Sequence, residues 1–206
     1  FNGDQTGYTF IINNSITDLT AKGSLEWFAS DDLTAKFGFE SSYYTFDFLQ
    51  DFTGDTNSTT VDSLDVSTDM TVHQWTHSLF GQFNYNFNEV LSSQIGLRVN
   101  YWDLSEQKII HPRIAIRYQI NENYSIKLAW GLFDQNLRLA TQPDFSFFDT
   151  WLPTDKTVPA SYSEHYIATL ETIPLEGIKL NFDIYFKKMH NINELNRTAL
   201  KAKVVS

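Results

Sequence analysis

Long stretches of this 206-residue sequence alternate apolar and polar residues with a period of two. In the clearest one, between Leu91 and Tyr101, every second position is Leu, Ile, Val or Tyr, apart from one serine. The positions between them carry Ser, Gln, Gly, Arg and Asn. Successive side chains of a β-strand point to opposite faces of a sheet, so this pattern predicts a strand with one apolar and one polar face. Seven or eight such segments, each roughly ten to fourteen residues long, follow one another along the chain.

The length of these segments favours strands that cross a membrane. A transmembrane strand needs about 9–11 residues, whereas strands of globular proteins are commonly about 5–6 residues long. Aromatic residues make up 16% of the chain, although its mean hydropathy is only −0.31. This combination is typical of a barrel in which only every second residue faces lipid. A soluble β-sandwich or lipocalin-like barrel, with its apolar face inward, is the alternative.

The lengths of the links between the segments form a second pattern. We predict tight turns at 29–32, 86–90, 121–123 and 174–177, and long loops at 51–70, at 136–161 and from 191 onward. Such an alternation predicts an all-β fold, an antiparallel up-and-down transmembrane β-barrel with short periplasmic turns and long extracellular loops. Pro112 cannot donate a ladder hydrogen bond, so we expect it near a strand end or a bulge.

Aromatic residues near the predicted strand ends are expected to form girdles at the two membrane surfaces. The periplasmic girdle would contain Trp27, Phe28, Tyr85, Phe87, Tyr118 and Tyr124. The outer girdle would contain Tyr43, Trp75, Tyr101 and Trp102.

The charge and the cysteine count exclude several kinds of function. The formal net charge is 15 − 25 = −10, the wrong sign for a protein that binds the nucleic-acid backbone. Without cysteine there is no disulfide, thiolate nucleophile or cysteine metal site. His73 and His77 lie four residues apart, which in a strand places them about 13 Å from each other, too far to share one metal. We therefore expect no metal site and no cofactor.

No pattern selects a catalytic group. Glycine-flanked nucleophile, zinc-binding and phosphate-binding motifs are all missing from the sequence. Glu164 and His165 could be combined with Asp149 or Asp155, but nothing distinguishes this set from chance. We expect the protein not to be an enzyme.

One loop carries residues suited to ligand binding. In the segment 142–151, large aromatic side chains occur in an otherwise polar loop, where exposure to water is unfavourable unless they pack on something. They either fold back over the barrel mouth or contact a ligand, and the two roles are compatible. The predicted ligand-binding residues are Phe145, Phe147, Phe148, Asp149 and Trp151.

Five segments together resemble a known family. In order, they contain a Gly-Leu-Arg strand, a Pro-Arg strand ending in Tyr, the strand that follows, and a hairpin closing with Tyr-x-Lys. These segments are 94–101, 111–118, 125–135, 163–171 and 182–188. Their order and spacing are similar to those of TonB-dependent receptors of the Gram-negative outer membrane, especially those of Bacteroidota, over most of Leu25 to Leu195.

The resemblance implies active import of a scarce nutrient across the outer membrane, driven through TonB. The ligand would be a ferric siderophore, a vitamin or a glycan, and the partners would be outer-membrane lipid and lipopolysaccharide, with no nucleic acid. TonB would act through a plug domain that we expect to lie outside this sequence. The whole of residues 1–206 would then be about eight strands of one barrel of about 22 strands, without its C-terminal strands. A complete small eight-stranded barrel with a structural or adhesive role is the alternative.

Overall fold

The computed structural model describes residues 7–55, 66–140, 150–157 and 159–192, and the regular structure in these ranges consists of β-strands. No helix within them has the length and hydropathy of a membrane span. The strands are β1 (Gly7–Phe28), β2 (Leu33–Asp55), β3 (Val66–Asn86), β4 (Leu91–Trp102), β5 (Gln107–Asn121), β6 (Tyr124–Gln135), β7 (Leu137–Ala140), β8 (Thr150–Pro153), β9 (Ser161–Leu175) and β10 (Ile178–His190).

Eight of these strands form one antiparallel sheet in the order β1-β2-β3-β4-β5-β6-β9-β10. The short strands β7 and β8 pair with each other and are inserted between β6 and β9. In the described part of the chain, β1 and β10 each pair on one side only, so the sheet is a curled, open wall. This architecture confirms the predicted antiparallel up-and-down fold with about eight strands of a larger barrel.

The tight turns lie at one rim of the sheet, as predicted, and local side-chain hydrogen bonds explain two of them. In the turn before β4, Asn88 Oδ1 accepts hydrogen bonds from the backbone N–H of Val90 at 3.0 Å and of Leu91 at 2.8 Å. Asn121 makes the same kind of turn before β6. Asparagine favours turns because its side chain can replace a backbone acceptor.

The first three strands are much longer than predicted. They contain 22, 23 and 21 residues, or about 70 Å at roughly 3.3 Å per residue, against a hydrocarbon core of about 30 Å. The loop predicted at 51–70 was therefore wrong at both ends, because 51–55 and 66–70 belong to β2 and β3. The ladder continues through pairs such as Phe52 with Val66, since its backbone hydrogen bonds do not depend on an apolar–polar alternation.

The two faces of the sheet differ in chemistry and in exposure. The outward face carries large apolar side chains that are widely exposed, including Leu79 at 66% and Ile184 at 76%. The inner face is polar and more buried, and Ser42, Gln74, Ser78, Asn100 and His111 are each less than 9% exposed. Exposed apolar patches of this extent need a lipid or protein partner. This arrangement agrees with an outward face in contact with lipid.

Aromatic rings form a belt across the outward face of β2, β3 and β4. Tyr43 lies 4.9 Å from Trp75, and His77 stacks between Trp75 at 5.7 Å and Tyr101 at 6.4 Å, measured between ring centroids. Trp75 and Tyr85 are ten positions apart on β3. Ten residues at about 3.3 Å, tilted by about 40°, span roughly 25 Å, the height of the apolar band of an outer-membrane barrel.

Pro112 marks a place where strand pairing ends. Residues of β5 pair with β4 on both sides of Pro112, whereas β6 pairs with β5 only from Arg113 onward. Since proline has no N–H to donate, the ladder to β6 stops next to it. The expectation of a strand end or a bulge was therefore wrong, because Pro112 lies within β5 and keeps its register with Leu97 of β4.

Candidate functional site

A hydrogen-bonded network crosses the inner face of β2, β3 and β4. Arg98 on β4 donates from Nη2 to Ser78 Oγ at 2.9 Å and to Glu40 Oε1 at 3.4 Å, and from Nε to Asn100 Oδ1 at 2.9 Å. Ser78 Oγ donates to the same Asn100 oxygen at 2.7 Å. The β-sheet register places these side chains on one face. The network holds the guanidinium of Arg98 in a fixed position on the inner wall.

The network continues to β6 and β5 through Asp134. Asn100 Nδ2 donates to both carboxylate oxygens of Asp134, at 2.9 and 3.2 Å. His111 Nε2 lies 2.6 Å from Asp134 Oδ1, and among the described residues neither ring nitrogen of His111 has a partner that meets the geometry of a hydrogen bond. His111 is 1% exposed. This contact is therefore a close polar contact and not a formed hydrogen bond.

A second polar group lies nearer the rim with the tight turns. Glu171 Oε2 accepts hydrogen bonds from Ser125 Oγ at 3.0 Å and from Arg117 Nη2 at 3.2 Å, and it lies 3.7 Å from Lys179 Nζ. These residues come from β5, β6, β9 and β10. One carboxylate therefore serves two cations, which leaves the inner wall with cationic character here.

At the opposite rim, residues that flank β7 and β8 fold back onto the inner face. Asn136 Nδ2 donates to Gln74 Oε1 at 2.7 Å, and Asn136 Oδ1 accepts from Thr154 Oγ1 at 2.7 Å. Gln74 and Thr154 are 0% and 2% exposed. The amide of Asn136 thus fastens both ends of the β7–β8 connection to β3.

Above the aromatic belt the polarity of the two faces is reversed. On the outward face, Asp47 accepts hydrogen bonds from Ser15 Oγ at 3.2 Å and from Thr71 Oγ1 at 2.8 Å. The inner face of the same strands is mainly apolar, with Asn14, Asp18 and Gln50 among the apolar side chains of Ile12, Ile16, Tyr44, Phe46, Phe48, Met70 and Val72. An apolar surface above the opening is suited to contact with an apolar part of a ligand or of another protein.

The predicted ligand-binding residues are placed only in part. Trp151 lies on β8 opposite Leu139 and is 46% exposed. Phe145, Phe147, Phe148 and Asp149 lie outside the described residues. Ligand binding by this set stays a prediction. The residues that sequence reasoning missed are those of the inner wall, whose individual contacts require the sheet register.

No group of three or more His, Asp or Glu side chains within the described ranges is placed to hold a metal ion. His73 and His77 instead lie on the outward face, where their Nδ1 atoms contact Thr45 Oγ1 at 3.2 Å and Ser41 Oγ at 2.9 Å. His165 Nε2 contacts Ser163 Oγ at 2.9 Å and not Asp155. Ser163 and His165 thus bring a hydroxyl and an imidazole together on β9, but among the described residues no carboxylate forms an ion pair with His165.

The sheet has an apolar outer face and a polar inner face. The sequence that forms it matches the family model for TonB-dependent receptor-like β-barrels over residues 1–166. The chain belongs to the TonB-dependent receptor family. Proteins of this family are β-barrels of the outer membrane of Gram-negative bacteria, and the chain is an outer-membrane protein. The family consists of receptors and transporters, not enzymes.

Solved structures of TonB-dependent receptors share this fold. A mutant of the ferric enterobactin receptor PfeA from Pseudomonas aeruginosa is similar with a TM-score of 0.62 and 15% identity, over 85% of this chain and 27% of that chain. The RagAB peptide transporter is similar with a TM-score of 0.57 and 13% identity, over 88% of this chain and 24% of that one. The chain thus spans about a quarter of the length of these structures. A comparison with curated protein sequences finds no match.

Proposed function

We propose that the protein acts in TonB-dependent import of a scarce nutrient across the outer membrane, and that these strands are part of the wall of the import barrel. The separation of the two faces carries this proposal. The outward face is apolar between the aromatic belt and the level of Tyr85, whereas the inner face holds the hydrogen-bonded network around Arg98. Such a wall separates lipid from a water-filled passage.

The open sheet supports a large barrel over the alternative of a complete eight-stranded one. A closed barrel of eight strands would pair β1 with β10, and no such pairing occurs among the described residues. The similar structures are also several times longer than this chain. TonB, a plug domain, outer-membrane lipid and lipopolysaccharide, and a small-molecule or glycan ligand are the partners that this proposal includes.

The substrate class is narrowed only by analogy. The two similar proteins are a ferric enterobactin receptor and a peptide transporter. At their low sequence identity to this chain, the similarity concerns the fold and not the ligand. A ferric siderophore, a vitamin or a glycan are the candidates that the family resemblance gives.

A deletion strain tests the proposal. We expect it to grow more slowly than the parent when one such nutrient is limiting, and we expect the difference to vanish when the nutrient is abundant. Iron limitation is the first condition to test. Complementation with the full-length gene should restore growth only in cells with a functional TonB. Equal growth of both strains under limitation for iron, cobalamin and glycans would count against import.

A further inference from the structure

The inner wall is basic although the chain as a whole is acidic. Below the aromatic belt, the inner face carries eight Lys and Arg and five Asp and Glu side chains, a formal charge of 8 − 5 = +3 against −10 for the chain. The cations are Lys22, Lys36, Arg98, Arg113, Arg117, Lys127, Lys179 and Lys187. The anions are Glu26, Glu40, Asp134, Glu171 and Asp183.

Most of these cations have a carboxylate next to them. Arg98 contacts Glu40, and both Arg117 and Lys179 contact Glu171. Lys22 and Lys36 lie directly opposite Glu40 and Glu26 on the neighbouring strands.

Three cations lack such a partner within the described ranges. Arg113 lies between Gly96 and Gly131, Lys127 between Arg117 and Thr169, and Lys187 opposite His165. None of the three takes part in an ion pair with a described residue. Lys127 lies directly opposite Arg117, and two like charges in this position are unfavourable unless an anion compensates for them. We call Arg113, Lys127 and Lys187 the basic strip.

The guanidinium of Arg113 is held by an aromatic ring. Its Cζ lies 4.4 Å from the centroid of the Phe133 ring, a cation–π contact. The Arg113 stem packs over Gly131, where a Cβ atom would lie only 3.1 Å from Arg113 Cγ. The cation–π contact positions the guanidinium fork, and no described acceptor forms a hydrogen bond with it.

A row of rings joins Arg113 to Lys187 at one level of the sheet. The Phe133 ring lies 4.4 Å from His165, which lies 5.5 Å from Tyr185. Lys187 is the register partner of His165, three strand spacings or about 14 Å from Arg113. A solute that touches this row meets flat rings between two cations.

We propose that the basic strip contacts a solute that carries several carboxylate groups as it moves along the inner wall. The inference rests on the proposed import function and names the substrate class for the same passage. Carboxylates match the planar fork of Arg113 and the point charges of Lys127 and Lys187. Cations spaced over the wall offer several weak contacts, which suit passage better than one tight site does.

A unique thiol tests the charge of this wall. The chain has no cysteine, and Ala115 lies on the inner face of β5 between Arg113 and Arg117. Ala115→Cys is made in the full-length receptor, freed of any other cysteine, and labelled with methanethiosulfonates that are alike in size but carry one negative or one positive charge. We expect the anionic reagent to react faster by about fivefold, after its intrinsic rate with a free thiol is divided out.

When Arg113→Gln or Lys127→Gln is combined with Ala115→Cys, the ratio of the anionic to the cationic labelling rate should fall by about twofold. Lys156→Gln, which removes an exposed cation paired with Glu106 near the other rim, is the matched control and should leave the ratio unchanged. Tricarballylate should slow labelling by an uncharged methanethiosulfonate at least about twofold, whereas sodium chloride of equal ionic strength should not.

Equal rates for the two charged reagents, no reaction with either, or protection by sodium chloride alone would each overturn the inference. TonB-dependent nutrient uptake is measured in the same cells. A receptor that imports its nutrient without any preference at position 115 contradicts only the substrate class. A receptor that shows the preference but supports no uptake contradicts the proposed function.

Discussion

At the residue scale, close packing on the inner face depends on glycine at one position and not at another. At Gly38, an added Cβ would meet the ring of Phe80 and would lie 2.7 Å from the backbone oxygen of Gly23. The ring could turn away, but the backbone oxygen is fixed by the β1–β2 ladder. At Gly96, the nearest atom would be 3.6 Å away, an ordinary van der Waals contact.

We therefore predict that Gly38→Ala destabilises the folded receptor by about 1–3 kcal/mol, whereas Gly96→Ala changes its stability by less than about 0.5 kcal/mol. Urea unfolding in lipid vesicles, followed by tryptophan fluorescence, measures the free energy of unfolding of both variants. The same loss at both positions would contradict the steric argument and would point to a general effect of alanine on the inner face.

Which residues face inward could be predicted from the sequence, but their partners could not. The alternation alone assigns Arg98, Asn100 and His111 to the polar face. The contact of Asn100 with Asp134 depends on the end of pairing beside Pro112, because strict alternation along β6 assigns Asp134 to the outward face. The end of strand pairing beside Pro112 does not change the apolar–polar alternation of the sequence, so the alternation could not predict it.

At the element scale, the sequence identified the strands where they cross lipid and lost them where they leave it. Above the aromatic belt, most of the large apolar side chains of β1, β2 and β3 lie on the inner face, and Ser15, Asp47 and Thr71 lie on the outward face. The alternation continues there with its phase reversed and weakened by Thr and Asp, so a search for one apolar face ends too early. For this reason the sequence did not predict that β1 begins at Gly7, that β2 ends at Asp55 or that β3 begins at Val66.

Depth within the apolar band governs the cost of a charge on the outward face. Leu97 lies near the middle of the band and Ser93 near the rim with tight turns, opposite Tyr85. We predict that Leu97→Arg destabilises the receptor by about 2–4 kcal/mol and Ser93→Arg by about 0–1 kcal/mol. Folding titrations in vesicles check both values. A similar cost at the two depths would contradict the membrane placement that the belt defines.

The amide of Asn136 joins both ends of the β7–β8 connection to the wall. Asn136→Ala removes the partner of both Gln74 and Thr154, which are almost fully buried, and an unsatisfied buried polar group costs about 1–3 kcal/mol. We predict faster protease cleavage within 137–160 in intact cells, with the barrel still folded. Lys156→Ala, in the same connection but exposed, is the control and should be cleaved at the parental rate. Unchanged cleavage in Asn136→Ala would show that other contacts hold the connection.

At the scale of the whole molecule, the protein forms a wall between two solvents. In the import function that we propose, lipid covers the outward face, and water meets the inner face with its polar network and basic strip. The family and the fold could be predicted from the strand motifs and the link lengths, because strands and links recur in a regular order along a barrel. The cargo could not, since the predicted aromatic loop is described only at Trp151 and the inner wall acquires its pattern from the sheet register.

A single-cysteine scan of β4 tests this central claim most directly. Each residue from Leu91 to Trp102 is replaced in turn by cysteine in the full-length receptor, which has no other cysteine within this chain. The variants are labelled in outer-membrane vesicles with a water-soluble maleimide and, separately, with one that partitions into lipid. We predict strict alternation, with the even positions from Ser92 to Asn100 favouring the water-soluble reagent and the odd positions from Ile95 to Val99 favouring the lipophilic one. Equal labelling of adjacent positions, or the opposite phase, would contradict a wall that separates lipid from a watery interior.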